Sequence, residues 1–371
     1  MGKLLGMSSN QFPLAVNFRN KRVFVTGNTG FKGSWLSHWL LQMGAVVAGY
    51  SDNSKTEPSL YDDLNLSQRV TQYTGEISDF ESVFKAVKEF NPDFIFHLAA
   101  QSIVSASIKS PRETFRTNTL GTVTVLEVIR VLEFKGPAIL ITSDKCYEND
   151  ERPHGYHEED RMGGKDPYSA SKGAAEIAIS SYVRTFLSYE LGFKVGIGRA
   201  GNVIGGGDWN SNRIIVDCVR SWQSGSTVEL RSPNSTRPWQ HVLEPISGYL
   251  QLASLLSTGT VQSGEAFNFG PKEDSVFTVS QIVSKLAASW PNCPGFTAST
   301  SDSKVLMPEA NLLSLNCDKA RQLLAWESSL NLDECIHLIS EWYLARQNKL
   351  DMQNITSQQI SYFESKFEKN S

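Results

Sequence analysis

Over the first half of the chain, short and almost wholly apolar segments alternate with longer stretches in which apolar residues recur every three or four positions. Arg22-Val23-Phe24-Val25-Thr26 is the first short run; Val46–Tyr50, Asp93–His97, Ala138–Thr142 and Lys194–Arg199 repeat the pattern. Helical periodicity fills the intervals from about Phe31 to Met43, Asp79 to Phe90, Pro111 to about Leu132, and in a segment opened by Pro167. Strands apolar on both faces, separated by amphipathic helices, predict a parallel sheet covered on each side. The expected class is therefore α/β, a Rossmann-like doubly wound parallel sheet.

Past residue 200 the alternation weakens and the loops fill with Gly, Pro, Trp and Arg. That change predicts a smaller, partly interleaved C-terminal substrate-binding lobe. The expected division is a leader at 1–20, a nucleotide-binding domain at 21–200 and a substrate lobe at 201–345. The chain is expected to return to the first domain near 240–256, and 346–371 to form a C-terminal helix or tail. Val276–Trp290 reads as a packing helix, and Ile355–Phe367 is polar with a thin apolar stripe.

Composition narrows the class. Charged residues make up 20% of the 371 and hydrophobic ones 40%, an ordinary balance for a globular protein. A net charge of −4 lacks the basic surplus that phosphate backbones require, so no nucleic-acid partner is expected. Five cysteines stand without CxxC spacing, which predicts neither a disulfide framework nor a metal site and fits a reducing compartment. No apolar run reaches the length of a membrane span, and the start lacks a signal-peptide core. A cytoplasmic protein with no membrane partner is the expectation.

Two strings carry chemistry. Tyr168-Ser169-Ala170-Ser171-Lys172 places a phenol and an ammonium four residues apart, on one helix face if Pro167 opens the helix. A positive charge beside a phenol favours phenolate, a base for an alcohol proton. Thr142-Ser143-Asp144-Lys145 adds a hydroxyl, a carboxylate and a second amine at a strand end. Together they hold one more pair of proton carriers than a simple dehydrogenase needs.

Gly27, Gly30 and Gly33, with Thr29 and Phe31, form a GxxGxxG turn between the first strand and helix, suited to a pyrophosphate at a helix N-terminus. Asp52, just past the second strand, is a candidate for a ribose diol or a solvated loop carboxylate; the lack of an adjacent arginine favours NAD over NADP. Ala99 and Ala100, followed by Gln101, would let a cofactor lie against the backbone, and Asn118 inside a helix requires a partner for its amide. His97 reads as a packed histidine. Asn202 stands at a further strand end, followed by Gly207, Asp208 and Trp209. Arg213, Arg231 and Arg237 are candidates for a diphosphate, and Trp209 and Trp239 for a base or sugar.

With these residues assembled, the chain resembles the extended short-chain dehydrogenase/reductase superfamily in its nucleotide-sugar branch. The TGxxGFxG turn and the YxxxK pair carry the broad likeness. Three longer strings, Ser143–Tyr147, Arg199–Trp209 and Arg237–Val242, resemble the 4,6-dehydratases of CDP-glucose. The resemblance runs from about 20 to 345. It implies bound NAD, a CDP-glucose substrate, a homodimer or homotetramer, and an adenine-side role for Glu76 and Ile77. It adds Gln240 and His241 to the substrate set and assigns Tyr168 with Ser143 and Lys172 to oxidation at carbon 4. Lys145 then takes the carbon-5 proton, and Asp144 protonates the departing 6-hydroxyl. These roles require a lowered lysine and a raised aspartate. A different nucleotide-sugar dehydratase, a 4-epimerase and a silent nucleotide-sugar-binding protein are the alternatives.

Overall fold

Seven parallel strands form the central sheet of the computed structural model, which describes residues 14–152, 154–272, 276–298 and 312–370. They are β1 (Arg22–Thr26), β2 (Val46–Ser51), β3 (Thr71–Thr74), β4 (Phe94–His97), β5 (Pro137–Ile141), β6 (Lys194–Ala200) and β7 (Glu265–Phe269). Their spatial order is β7-β6-β5-β4-β1-β2-β3. The direction of winding reverses between β1 and β4, where Thr26 lies opposite His97. Ligands of open α/β sheets bind at the carboxyl edge of such a switch.

Two of these strands have no signature in the apolar pattern. β3 reads Thr-Gln-Tyr-Thr and sits at the sheet edge, partly exposed, so burial does not force it to be apolar. β7 lies beyond residue 200 and pairs with β6 from Gly196–Glu265 to Ala200–Phe269. Helix α5 (Leu243–Thr258) precedes it and packs on β5 and β6. Gly196 and Gly198 in β6 make room for that helix: a Cβ at Gly196 would stand 2.6 Å from Leu256, and one at Gly198 2.8 Å from Tyr249.

The covering helices include α1 (Phe31–Gln42), α2 (Phe80–Phe90), α3 (Gly121–Val131) and α4 (Pro167–Thr185). Asp79 caps α2, and Asp166 caps α4 by accepting from the Ser169 amide at 3.0 Å, with Pro167 in the first turn. The helix read from Pro111 onward is not continuous. A π-helical turn at Arg116–Leu120 interrupts it and turns the Asn118 side chain inward. Part of the expected leader is built into the core: Ala15–Phe18 is helical, and Phe18 is fully buried against Phe94 and Phe96. Residues 1–13 lie outside the described residues.

Beyond residue 200 lie three short strand pairs among the described residues: Val228–Leu230 with Phe296–Ala298, Thr236–Pro238 with Val276–Thr278, and Val203–Ile204 with Gln240–His241. Helix α6 (Leu332–Gln347) carries a capping box between Asn331 and Glu334. Helix α7 (Met352–Asn370) lies on α6 and α1, burying Ile360 and Phe363 fully. No helix among the described residues is long and apolar enough to cross a membrane.

Candidate active site

A cleft of about 490 Å³ opens at the carboxyl edge of the sheet, within the size range of small-molecule sites. Its floor is the glycine turn after β1. Gly27 has φ +72°, and a Cβ there would lie 2.7 Å from the Ala99 amide nitrogen. A Cβ on Gly33 would meet the Gly27 carbonyl at 2.1 Å, so helix and strand approach as closely as glycine permits. No side chain caps the N-terminus of α1, which leaves its first amides directed at the cleft. Thr29, Gly30 and Phe31 line the turn, Ala99, Ala100 and Gln101 the adjoining wall. This cradle fits a dinucleotide pyrophosphate, and NAD is the group the residues would hold.

Farther along the same cleft lie Asp52, Glu76 and Ile77. Asp52 accepts from the Ser54 amide at 3.0 Å and the Ser54 hydroxyl at 2.6 Å. Glu76 is paired with Arg116 at 3.2 Å.

The acid/base strings meet on the opposite wall. Ser143, Asp144, Lys145, Tyr168 and Lys172 all line the cleft, although two different elements carry them. Ser143 donates to Asp144 at 2.8 Å, and its hydroxyl accepts from the Lys145 amide at 3.2 Å. Lys172 donates to the Ile141 carbonyl at 3.3 Å, which holds its ammonium under the strand end. Asp144, Tyr168 and Lys172 are buried, whereas Lys145 is half-buried at the rim.

Burial dominates the electrostatics here. It raises the Asp144 carboxyl above its usual range, with Lys145, Ser143 and Lys32 opposing. It pushes Lys172 down to about 8, with Glu176 as the chief opposing charge. The Tyr168 phenol departs from expectation. Burial drives it up to about 12, Asp144 adds to the rise, and Ser143 and Arg213 only partly offset it. The helical Tyr–Lys spacing alone therefore does not create a phenolate, because desolvation outweighs it.

The remaining expected residues divide. Asn202, Gly207, Trp209 and Arg213 line the cleft. Asp208 is buried behind it, 4.0 Å from Arg213 and accepting from Asn210. Asn118 does not line the cleft. Its amide is engaged by the Gln101 amide and carbonyl at 2.8 and 3.0 Å and by the Ser171 hydroxyl at 2.9 Å, so it holds the wall of the cleft in place. Gln240 and His241 are also outside. Gln240 donates to the Phe269 carbonyl at 2.8 Å, while His241 is packed edge-on against Trp35 and driven down to about 3 by burial. Both lie on the strand paired with Val203–Ile204. Arg231 and Arg237 stand apart from the cleft lining; Arg231 faces Asp217, and Arg237 belongs to the strand Thr236–Pro238. Trp239 is packed, donating to the Phe277 carbonyl at 3.1 Å. His97 is packed as expected, between Thr26 and Thr122.

Lys32 was not singled out by the sequence. It lines the cleft within the field of Asp144, Asp208, Arg213 and Lys172, and burial together with Arg213 pushes it down to about 8. Its only sequence signal is a cation inside the glycine turn; the carboxylates that face it come from distant strand ends. Among the described residues no group of three or more His, Cys, Asp or Glu side chains is placed to hold a metal.

A parallel sheet with a glycine turn and a Tyr–Lys pair at its switch point defines an extended short-chain dehydrogenase/reductase. More narrowly, the family model for GDP-mannose 4,6 dehydratase matches residues 24–339, and the chain belongs to that family. It is 42% identical over 348 residues to a CDP-glucose 4,6-dehydratase of Salmonella typhimurium, covering 93% of this chain and 96% of that one. A probable dTDP-glucose 4,6-dehydratase of Sinorhizobium fredii is 24% identical over 336 residues, covering 87% of this chain and 93% of that one. Among solved structures, the dTDP-glucose 4,6-dehydratase of Streptomyces venezuelae with NAD bound superposes with a TM-score of 0.73 at 21% identity, covering 90% of this chain and 99% of that one. That likeness is one of fold.

Proposed function

We propose that this chain is an NAD-dependent CDP-glucose 4,6-dehydratase, converting CDP-glucose to CDP-4-keto-6-deoxyglucose and water. The observation that carries the reading is the meeting of Asp144 and Lys145 with Ser143, Tyr168 and Lys172 in one cleft beside the glycine turn. The 42% identity to the Salmonella enzyme supports the choice of nucleotide.

Tyr168 takes the proton of the sugar 4-hydroxyl, with Ser143 placed to steady the same oxygen. When bound, NAD⁺ supplies a hydride acceptor for carbon 4 and, once reduced, the hydride donor for carbon 6. The carbon-4 ketone acidifies carbon 5, whose proton Lys145 removes. Asp144 protonates the 6-hydroxyl as it leaves as water. A raised carboxyl suits that task, since the acid must still hold its proton near neutral pH. Return of the carbon-5 proton from Lys145 completes the product, and passage of the Tyr168 proton through solvent to Asp144 restores both groups with no net change in cofactor. A plain dehydrogenase or 4-epimerase has no use for the Asp144–Lys145 pair, and a binding protein none for Tyr168 and Lys172.

Residues 21–200 form the NAD-binding part on this reading, and 201–345 mainly the substrate lobe, with Asn202, Gly207, Trp209 and Arg213 toward the nucleotide sugar and Asp208 behind Arg213. The five unpaired cysteines fit a cytoplasmic enzyme. Apolar side chains exposed on α3 and α4, among them Val131 and Ile177, fit a homodimer or homotetramer.

The test is to incubate the purified protein with NAD⁺ and CDP-, dTDP-, UDP- or GDP-hexoses. A 4-keto-6-deoxy product from CDP-glucose without net NADH is expected. Stoichiometric NADH with a retained 6-hydroxyl would overturn the dehydratase reading, and preference for another nucleotide would overturn the substrate.

A further inference from the structure

Beneath the acid/base cleft lies a buried polar group that no step above uses. Glu176 follows Lys172 by one helical turn on α4. Its two oxygens receive Nε and Nη2 of Arg199, near the end of β6, at 2.8 Å each, and both side chains are only 5% exposed. Thr142, just past β5, donates its hydroxyl to the same carboxylate. Arg199 also donates to the Tyr147 hydroxyl at 2.7 Å and the Glu158 carbonyl at 2.9 Å, and Tyr147 donates onward to Asn268 of β7 at 2.7 Å.

One carboxylate thus cross-links the helix bearing Tyr168 and Lys172 to the strand end bearing Ser143 and Asp144. A buried ion pair is often no more stabilising than apolar side chains of similar volume, so fold stability alone does not call for this one. We infer that Glu176 and Arg199 are positioning residues for proton transfer at Tyr168: they set the charge of Lys172 and hold α4 in register with Ser143. The inference rests on the assignment of Tyr168 and Lys172 proposed above.

The groups facing Lys172 make Glu176 decisive. Cys146 is kept a neutral thiol by burial, which raises it well above its ordinary value. His97 on β4 is kept neutral, pushed down to about 3 by burial and by Lys172 itself. Lys32 on α1 is a like charge. Glu176 is therefore the anion that opposes the desolvation of Lys172. Arg199 holds that carboxylate in place through paired charge-assisted hydrogen bonds.

The sign follows. Lys172 assists as an ammonium, so its contribution disappears as pH rises through its pKa. Removing the Glu176 charge lowers that pKa and brings the loss to lower pH.

The experiment measures the pH dependence of cofactor reduction in a single turnover for the parent and for Glu176→Gln. In parallel, the pH dependence of Lys172 acetylation by acetic anhydride is read by peptide mass mapping. Both midpoints should fall by about one unit in Glu176→Gln, the lower end of the shift an adjacent opposite charge produces. Glu176→Asp should keep the parental midpoints even if its amplitude drops. If Glu176→Gln does not fold because Arg199 is stranded, Glu176→Gln/Arg199→Met removes both charges and should show the same downward shift. A folded variant whose amplitude falls while both midpoints stay at parental values overturns the inference and leaves a purely structural pair. A parent that oxidises no nucleotide sugar overturns the functional reading instead, and the acetylation midpoint still judges the pair.

Discussion

Tyr168 shows how far residue type and spacing can be read into chemistry. The four-residue interval to Lys172 predicts a shared helix face, and both side chains do reach one cleft. The interval says nothing of desolvation, which pushes the phenol to about 12. Tyr168→Phe removes only the phenolic oxygen, so cofactor binding measured by fluorescence titration should stay near parental while sugar oxidation is lost. Turnover within a few-fold of the parent would show that another group is the base. Lys145→Met separates the two halves of the reaction. Oxidation should survive and elimination stall, so bound NADH accumulates and the 4-keto-6-deoxy product falls by ~10²–10⁴, the usual contribution of a general acid–base group. Exchange of the carbon-5 deuteron should slow with it, and parental exchange would refute the role of Lys145.

Local sequence decides the elements that have their own caps and apolar periods. Asp166-Pro167 starts α4, and the capping box of Asn331 and Glu334 starts α6. Helix α5 carries a less visible device. Glu244, in its first turn, is fully buried and accepts the amides of Ser329 and Leu330 at 2.9 and 2.6 Å, joining α5 to the loop before α6. Burial raises its carboxyl from 4.5 to about 7. Folded protein then retains a proton that unfolded protein releases, so the stability it contributes falls as pH rises from about 4.5 through about 7. Glu244→Gln keeps an acceptor for the two amides and cannot ionise. Its thermal midpoint relative to the parent should rise between pH ~5 and ~8, the window set by linkage. A constant difference across that range would show that Glu244 does not titrate there.

At the scale of the whole molecule, the C-terminal helix supports the cofactor side of the cleft. Its Phe363 is fully buried edge-on against Trp39 of α1, and Trp39 donates to Glu364 at 2.8 Å. Helix α1 grows out of the glycine turn, so this contact braces the anion-binding end from behind. Phe363→Ala should cost about 3–5 kcal/mol in urea unfolding, as aromatic truncations in cores do. It should weaken NAD binding more than substrate binding, because the damage lies behind α1 and away from Arg213. Equal losses of the two affinities would argue against the brace.

The alternation of apolar strands with amphipathic helices, the glycine turn and the two acid/base strings were legible in the chain, because each is a local pattern of period, φ or spacing. The edge strand Thr71–Thr74 and the returning strand Glu265–Phe269 were not, since their pairing is with residues remote in sequence. The same limit applied at the site. Asn118, Gln240 and His241 have the chemistry of ligands, but packing points them at backbone and core. Lys32, Glu176 and Arg199 look like ordinary charges until the sheet brings them under and beside Asp144 and Lys172. Residue type sets which protons a side chain can carry. Only the tertiary structure, by desolvating some groups and pairing others, decided where those protons sit.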